Sequence, residues 1–306
     1  MEFPPVFPYT AKISAMSEHP TTHLIEQAAA LVSDADLLVI AAGAGMGVDS
    51  GLPDFRGNQG FWQAYPALAR ARMEFTSVAS PDTFRADPSL AWGFYGHRLK
   101  LYRDTAPHAG FAMLKDWGAR MDHGYGVFTS NVDGQFQRAG FDPQRIYECH
   151  GSIHHLQCLT PCDGEIWSAD DFRPEVDNDA CRLLNQPPTC PRCGTLARPN
   201  ILMFGDWGWN ERRSAMQERR LTALVEKARR PLVVELGAGV AIPSVRHFGQ
   251  RVIQQHGGRM IRINPREPQV AGTRDVGLPM GALAGLAAID APVSYTHLTL
   301  PTTPYV

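Results

Sequence analysis

The run Leu37-Leu-Val-Ile-Ala-Ala42 is apolar throughout, shows no alternation, and empties directly into Gly43-Ala-Gly45-Met-Gly47. An alternating strand has one wet face, whereas an unbroken apolar strand is buried on both, as in a parallel sheet covered by helices. The same sequence of events returns at Leu232 to Leu236, which opens into Gly237-Ala-Gly239. Tyr125 to Thr129 and Met260 to Ile263 supply two further runs of this kind. Apolar residues at helical spacing from Thr21 to Val32, and a helical stretch from Arg212 to Arg229, each precede such a strand. Strand, glycine loop and helix in alternation predict a doubly wound α/β sheet. With 28 Gly and 24 Pro in 306 residues, glycine-lined loops are favoured over a helical bundle.

Two segments break the alternation. Residues 58–119 are rich in Ala, Arg and aromatics and predict an inserted helical cap. Residues 155–199 hold paired cysteines and several prolines, too irregular for a sheet unit. The sheet is then assembled from about 20–57, 120–154 and 200–290, one catalytic domain spanning 20–290 with a cleft between sheet and insertions. Residues 293–306 read Val-Ser-Tyr-Thr-His-Leu-Thr-Leu-Pro-Thr-Thr-Pro-Tyr-Val, unlike the Ala/Gly/Leu pattern before them, and are set aside as a suspected non-native tail.

Composition narrows the partners. A net charge of −2 with 20% charged residues disfavours a nucleic-acid binder that works by bulk electrostatics. No apolar stretch is long enough to span a membrane. The first twenty residues mix proline with polar groups and lack an apolar signal core, so a cytoplasmic protein is expected.

Six cysteines stand at 149, 158, 162, 181, 190 and 193. In a large unsecreted chain, close pairs read as metal ligands before disulfides. Cys158/Cys162 and Cys190/Cys193 have ligand spacing, and Cys190-Pro-Arg-Cys193-Gly194 is a knuckle that turns backbone N–H groups toward thiolates. These four predict a tetrahedral zinc site; four unrelated buried thiols is the competing reading. With four protein ligands no position stays open, so the zinc is structural. Cys149 and Cys181 fall outside this set. Cys149 beside His150 suggests a thiol nucleophile, but neighbours on an extended segment point to opposite faces.

Glycine after a first strand lets a backbone approach a pyrophosphate, which a helix N-terminus then stabilises. Here Gly43, Ala44 and Gly45 form one such loop, and Gly237 and Gly239 a second. Neither meets the strict dinucleotide fingerprint, because Val48 and Ile242 occupy the third glycine position, so a plain strand–helix turn stays open and a hydride-transfer dehydrogenase is disfavoured. Asp54-Phe55-Arg56 offers an anion, an aromatic lid and a phosphate-pairing guanidinium. Asn131 and Asp133, at a strand's carboxyl end, each suit a ribose or a carboxamide, with an Asx-turn as the alternative. His150 precedes Gly151 at a loop edge, and a histidine there can accept a hydroxyl proton, although His123, His154 and His155 lie near it.

Gly43-Ala-Gly-Met-Gly-Val-Asp-Ser-Gly-Leu-Pro-Asp-Phe-Arg-Gly57 resembles the first signature of the sirtuins, the NAD-dependent protein deacylases. Thr129-Ser-Asn-Val-Asp133, Glu148-Cys-His-Gly-Ser152 and the cysteine pairs come after it in that family's order, and Arg198 to Asp206 is similar to its substrate-binding strand. The resemblance implies a Rossmann-like domain, a smaller domain of zinc module plus helical cap, and a cleft where NAD and acyl-lysine meet. It implies His150 as general base, Asn131 as a second catalytic residue, and Asn264 near the adenosine ribose. It also implies Ile201, Met203, Phe204 and Gly205 as substrate contacts. In the implied reaction the acyl oxygen attacks the anomeric carbon and nicotinamide leaves. His150 then deprotonates a ribose hydroxyl, and the acyl group ends on ADP-ribose. The family's default is a monomer.

The chain departs from that pattern at Gly47, commonly serine, at Ser130, commonly glutamine, and at Gly237-Ala-Gly239, commonly Gly-Thr-Ser. Each changes hydrogen bonding to the cofactor. Tyr95 and Arg98, spaced i, i+3 in the cap, resemble the pair in the sirtuin class that prefers succinyl- and malonyl-lysine, and Ala79 matches a small residue of its acyl pocket. A surface arginine beside a half-buried tyrosine is the plainer reading. Trp207 and Trp209, just past the stretch from Arg198 to Asp206, are assigned no role. An NAD glycohydrolase or mono-ADP-ribosyltransferase, and a non-catalytic NAD or ADP-ribose binding module, stay as alternatives.

Overall fold

The computed structural model describes residues 18–53, 57–160, 162 and 164–298. Helix α1 (Glu18–Asp34) leads into β1 (Leu37–Ala42), as expected. The segment after β1 differs from expectation: two single 3₁₀ turns, Ala44–Met46 and Val48–Ser50, stand where an α-helix would offer its N-terminus. The cap comes next, as α2 (Gly57–Ala64), α3 (Pro66–Arg70), α4 (Phe75–Val78), α5 (Pro81–Ala86) and α6 (Pro88–Asp104). Then come α7 (Gly110–Ala119), β2 (Tyr125–Thr129), α8 (Gln135–Arg138) and β3 (Ile146–Glu148). The small domain contributes β4 (Gly151–Cys158), β5 (Ile166–Ser168), β6 (Val176–Asp177), β7 (Arg182–Leu183) and β8 (Ala197–Ile201). The chain returns through α9 (Arg212–Val225), β9 (Pro231–Leu236), α10 (Ser244–His256), β10 (Arg259–Ile263), β11 (Val276–Leu278) and α11 (Ala282–Leu298).

Six strands form one parallel sheet in the order β11-β10-β9-β1-β2-β3. The chain runs outward from β1 to β3, then resumes on the other side of β1 with β9. The order therefore reverses between β1 and β9, where sheets of this kind open a ligand crevice. Ala42 is level with both Thr129 and Leu236, so the loops after β1, β2 and β9 leave the sheet at one height.

Both sheet faces are covered. Leu38, Ile40 and Ala42 join the core with α1, α7 and α11, while Leu37, Val39 and Ala41 face α9 and α10. All six residues of β1 are fully buried, which is why its run shows no alternation. A second core gathers Phe61, Trp92, Phe94, Tyr95 and Leu99 of the cap with Ile153, Leu156, Leu183 and Ile201 of the small domain. The architecture is thus a Rossmann-like sheet domain and a smaller domain, as the sequence leads one to expect.

Boundaries differ in four places. Phe111, Leu114 and Trp117 of α7 belong to the sheet core, so the cap ends before Gly110 rather than at 119. Strands β4 and β8 pair antiparallel and run across the boundaries expected at 154/155 and 199/200. Helix α9 stops at Val225, short of Arg229, because the Asp36 carboxylate accepts from the backbone N–H groups of Arg229 and Arg230, both at 2.9 Å. Val293, where the tail was set apart, is buried within α11. Residues 299–306 lie outside the described residues.

Candidate active site and metal centre

The two glycine loops meet backbone to backbone. Gly43 N–H donates to Leu236 O at 2.9 Å, Gly45 N–H to Gly237 O at 3.1 Å, and Gly237 N–H to Ile263 O at 3.1 Å. A Cβ on Gly43 would lie 2.9 Å from Ala238 Cα, and one on Gly237 only 2.4 Å from Gly45 Cα. Gly237 also holds φ +59°, a conformation glycine adopts without steric cost. Gly43 and Gly237 thus serve first to let two loops touch, whereas a Cβ on Gly239 would face open space. The helix N-terminus at this crevice belongs to α10, after the second loop, and not to an element after the first.

Asn264 is fully buried and shapes the second loop. Its Nδ2 donates to Ala238 O at 2.9 Å while its Oδ1 accepts from the N–H groups of Arg266 and Glu267, each at 3.0 Å. Arg246 donates to the same Ala238 carbonyl at 3.0 Å. Asn131 reaches across from β2: its Nδ2 donates to Gly43 O at 3.0 Å. Asp133 makes the Asx-turn that was its plainer reading, Oδ1 accepting from Gln135 N–H at 2.9 Å. Burial pushes its carboxyl up to about 6. The sequence-derived Asp54, Phe55 and Arg56 lie outside the described residues.

His150 sits at the turn between β3 and β4, beside this crevice. Gly151 has φ +79°, and a Cβ there would meet Asn200 O at 2.0 Å, so β8 passes too close for any other residue. Helix α9 clamps the strand that delivers the histidine. Glu148 is ion-paired with Arg213, its N–H donates to Gln217 Oε1 at 3.1 Å, and its carbonyl accepts from Ser214 Oγ at 3.0 Å. The His150 ring donates to the Ser130 carbonyl, and its Nε2 lies 3.3 Å from Ser244 Oγ, at the start of α10. Burial holds its pKa below the ordinary histidine value, so the ring is neutral and able to accept a proton near pH 7. The neighbouring Cys149 thiol is pushed up to about 12 by burial, which leaves no thiolate for nucleophilic attack. His154 is turned away, its Nε2 bonded to Asp133 O at 2.9 Å.

On the other side, Ile201 ends β8 and Met203 is buried behind it, while Phe204 is 40% exposed. Phe204 N–H donates to the carbonyl of the buried Ala79 at 3.0 Å, joining this loop to the cap. Gly205 has φ +65°. The loop is held by a buried bidentate pair, Arg198 to Asp206 at 2.7 and 2.8 Å, with Asp206 also accepting from Gly208 N–H at 3.1 Å.

Tyr95 and Arg98 do share α6, but neither is at the surface. Arg98 donates from Nε and Nη2 to Tyr102 Oη at 3.0 and 2.8 Å and lies over the rings of Phe94, Tyr95 and Tyr102. Tyr95 stacks on Phe84 with centroids 5.5 Å apart. Tyr102, at i+4 from Arg98, went unread in the sequence, as did Arg213 and Ser244. Helical spacing could have flagged Tyr102; the other two are joined to the site only by tertiary contacts.

All four sulfurs of Cys158, Cys162, Cys190 and Cys193 lie within 4.8 Å of one another, with Cys158–Cys193 at 3.6 Å and Cys162–Cys190 at 3.7 Å. A tetrahedral zinc with Zn–S bonds of about 2.3 Å sets sulfurs about 3.8 Å apart, so the cage fits that ion. Gly194 at φ +70° closes the knuckle, its N–H donating to Cys190 O at 2.9 Å. Thr195 Oγ1 lies 3.1 Å from Cys158 Sγ and 3.0 Å from Cys193 Sγ, and its bonds lower the Cys193 thiol to about 6. Donors aimed at sulfur are what thiolates require.

Comparison with known proteins agrees with this geometry. Residues 43–226 match the Sir2 family. An NAD-dependent protein deacylase of Thermococcus sibiricus is 32% identical over 83% of this chain and 90% of its own length. One of Pyrococcus furiosus is 30% identical over 79% and 86%. Among solved structures, a Sir2 homologue in complex with NAD superposes with a TM-score of 0.67 at 24% identity, covering 89% of this chain and 94% of that one. Sir2Tm bound to a propionylated peptide gives a TM-score of 0.60 at 19% identity, covering 88% and 98%.

Proposed function

The chain belongs to the Sir2 family, and from that premise we propose that it removes acyl groups from protein lysines, consuming NAD and releasing nicotinamide and acylated ADP-ribose. The observation that carries this reading is the placement of His150: a half-buried imidazole at the turn after β3, bonded to the Ser130 backbone, with Nε2 directed toward the start of α10. In this proposal the interlocked loops of Gly43, Ala44, Gly45, Gly237 and Gly239 support the NAD phosphates, and Asp54, Phe55 and Arg56 are further cofactor-binding residues. Asn131 orients the nicotinamide ribose, and Asp133 and Asn264 act by holding their loops in shape. Ile201, Met203, Phe204 and Gly205 line the peptide. His150 takes a proton from a ribose hydroxyl in the second step. The cysteine cage holds zinc and takes no part in bond making.

Simple glycosidic cleavage of NAD needs no base on the ribose hydroxyl, so His150 favours the deacylase over a glycohydrolase or a mono-ADP-ribosyltransferase. Nicotinamide release measured with NAD, with and without an acyl-lysine peptide, tests this. Release that depends on the peptide is expected; equal release in both tubes supports the hydrolase, and none in either a binding module. The same proposal includes a monomeric cytoplasmic enzyme with protein or peptide substrates and neither nucleic acid nor membrane as partner. Among the described residues no helix is long and apolar enough to cross a membrane.

The acyl preference we propose is succinyl and malonyl over acetyl. Arg98 held among aromatic rings, with the buried Ala79 backbone bonded to the substrate loop, supports it. A charge-assisted bond from guanidinium to a free acyl carboxylate favours the dicarboxylic substrates roughly ten- to a hundredfold. Arg98→Met is expected to reverse the order of kcat/KM on succinyl and acetyl forms of one peptide. Acetyl preferred by the unaltered enzyme would refute the assignment.

A further inference from the structure

Ser244 is the first residue of α10, a helix of 13 residues entered through Pro243. Its Oγ lies 3.3 Å from Nε2 of His150, ninety-four positions away in sequence. We propose that the Ser244 hydroxyl is a positioning group for the base, holding the ring in place and partnering Nε2 in both of its protonation states. The inference rests on the reading of His150 as the general base.

Three features carry it. First, the ring has two tethers of different kinds. The Ser130 carbonyl can only accept, so the ring donates there, and Nε2 is left as the atom with the free lone pair. Second, a hydroxyl is a rotor that both donates and accepts. It donates to the neutral ring at rest. When a ribose hydroxyl arrives, that hydroxyl replaces serine as the donor and passes its proton to the Nε2 lone pair. The resulting N–H then finds Ser244 Oγ as its acceptor, and Ser244 keeps its own proton throughout. Third, the surroundings oppose the cation that this step creates. The ring is half-buried, and the N–H groups of the first turn of α10 present the positive end of the helix. An oxygen lone pair at that place relieves part of the cost, and no aliphatic side chain could do so.

The experiment compares the full-length enzyme with Ser244→Ala, Ser244→Thr and His150→Ala, using NAD and an acyl-lysine peptide. Two rates are read: deacylation, and exchange of labelled nicotinamide into NAD. Exchange reports the first step and its reversal, which need no base. His150→Ala is expected to lose deacylation and keep exchange. Ser244→Ala should lower kcat for deacylation about ten- to a hundredfold, the contribution of a hydrogen bond to a charged partner. Its KM for NAD and its exchange rate should stay within about twofold, and Ser244→Thr should restore the loss because it restores the hydroxyl. Unchanged deacylation in Ser244→Ala, or exchange and deacylation falling together, would overturn the assignment of Ser244 while leaving the base intact. Deacylation surviving in His150→Ala would instead remove the base itself, and the role of Ser244 with it.

Discussion

Gly237 shows how little freedom single residues have at this site. Its φ of +59° and the 2.4 Å approach to Gly45 Cα are separate obstacles to any side chain. Gly237→Ala is expected to destabilise the fold by about 1–3 kcal/mol and to weaken NAD binding more than peptide binding. Urea denaturation and NAD titration check both, and a variant with unaltered stability would show that the loops can part. His150 makes a second residue-scale prediction. Its pKa lies below the ordinary value, so the ring stays an unprotonated base down through neutral pH. Loss of kcat on acidification should therefore begin below about pH 6.5, and a limb centred above that value would contradict the burial of the ring.

Among the elements, the cysteine knuckle and β8 act together, because the strand that comes after the cage carries the substrate loop. Removing zinc, or replacing Cys193 by serine, is expected to loosen β8 and abolish peptide-dependent turnover, since metal-binding energy in such modules is folding energy. Metal analysis should return about one zinc per chain; a metal-free active enzyme would refute the structural role. Elements of this kind were legible in the sequence wherever local pattern decides them. Strands β1, β2, β9 and β10 follow from unbroken apolar runs, and the cage follows from paired cysteines. Distant partners set the features that escaped. Asp36 ends α9 early by taking two backbone N–H groups nearly two hundred positions away, and α7 leaves the cap because Phe111, Leu114 and Trp117 match the sheet face. Arg98 was read with Tyr95 alone, and its buried bonds to Tyr102 within the cap core come from packing that local spacing does not show. Glycine at 43 and 237 suggested ligand approach, yet the nearest neighbour of each is the other loop.

For the whole molecule, half-buried histidines set the response to acid. His97, His108, His150, His154 and His155 all have pKa values lowered by burial, His155 to about 4. The unfolded chain thus binds more protons than the folded one below about pH 6.5, and stability falls as pH falls through that window. Asp133, raised to about 6, opposes this as a single group. Melting temperature is expected to drop by several degrees between pH 7 and pH 5 with zinc in excess, and a flat profile would argue against the burial of these rings. The reversal between β1 and β9 has a consequence of another kind, in time rather than energy. During synthesis β1 emerges early, but the loop that completes the nucleotide crevice comes almost two hundred residues later. Until β9 slides in beside it, β1 lacks a neighbour along one edge and Gly43 has nothing to rest against. A nascent chain is therefore expected to carry the histidine and the cysteine pairs before the crevice between β1 and β9 can form.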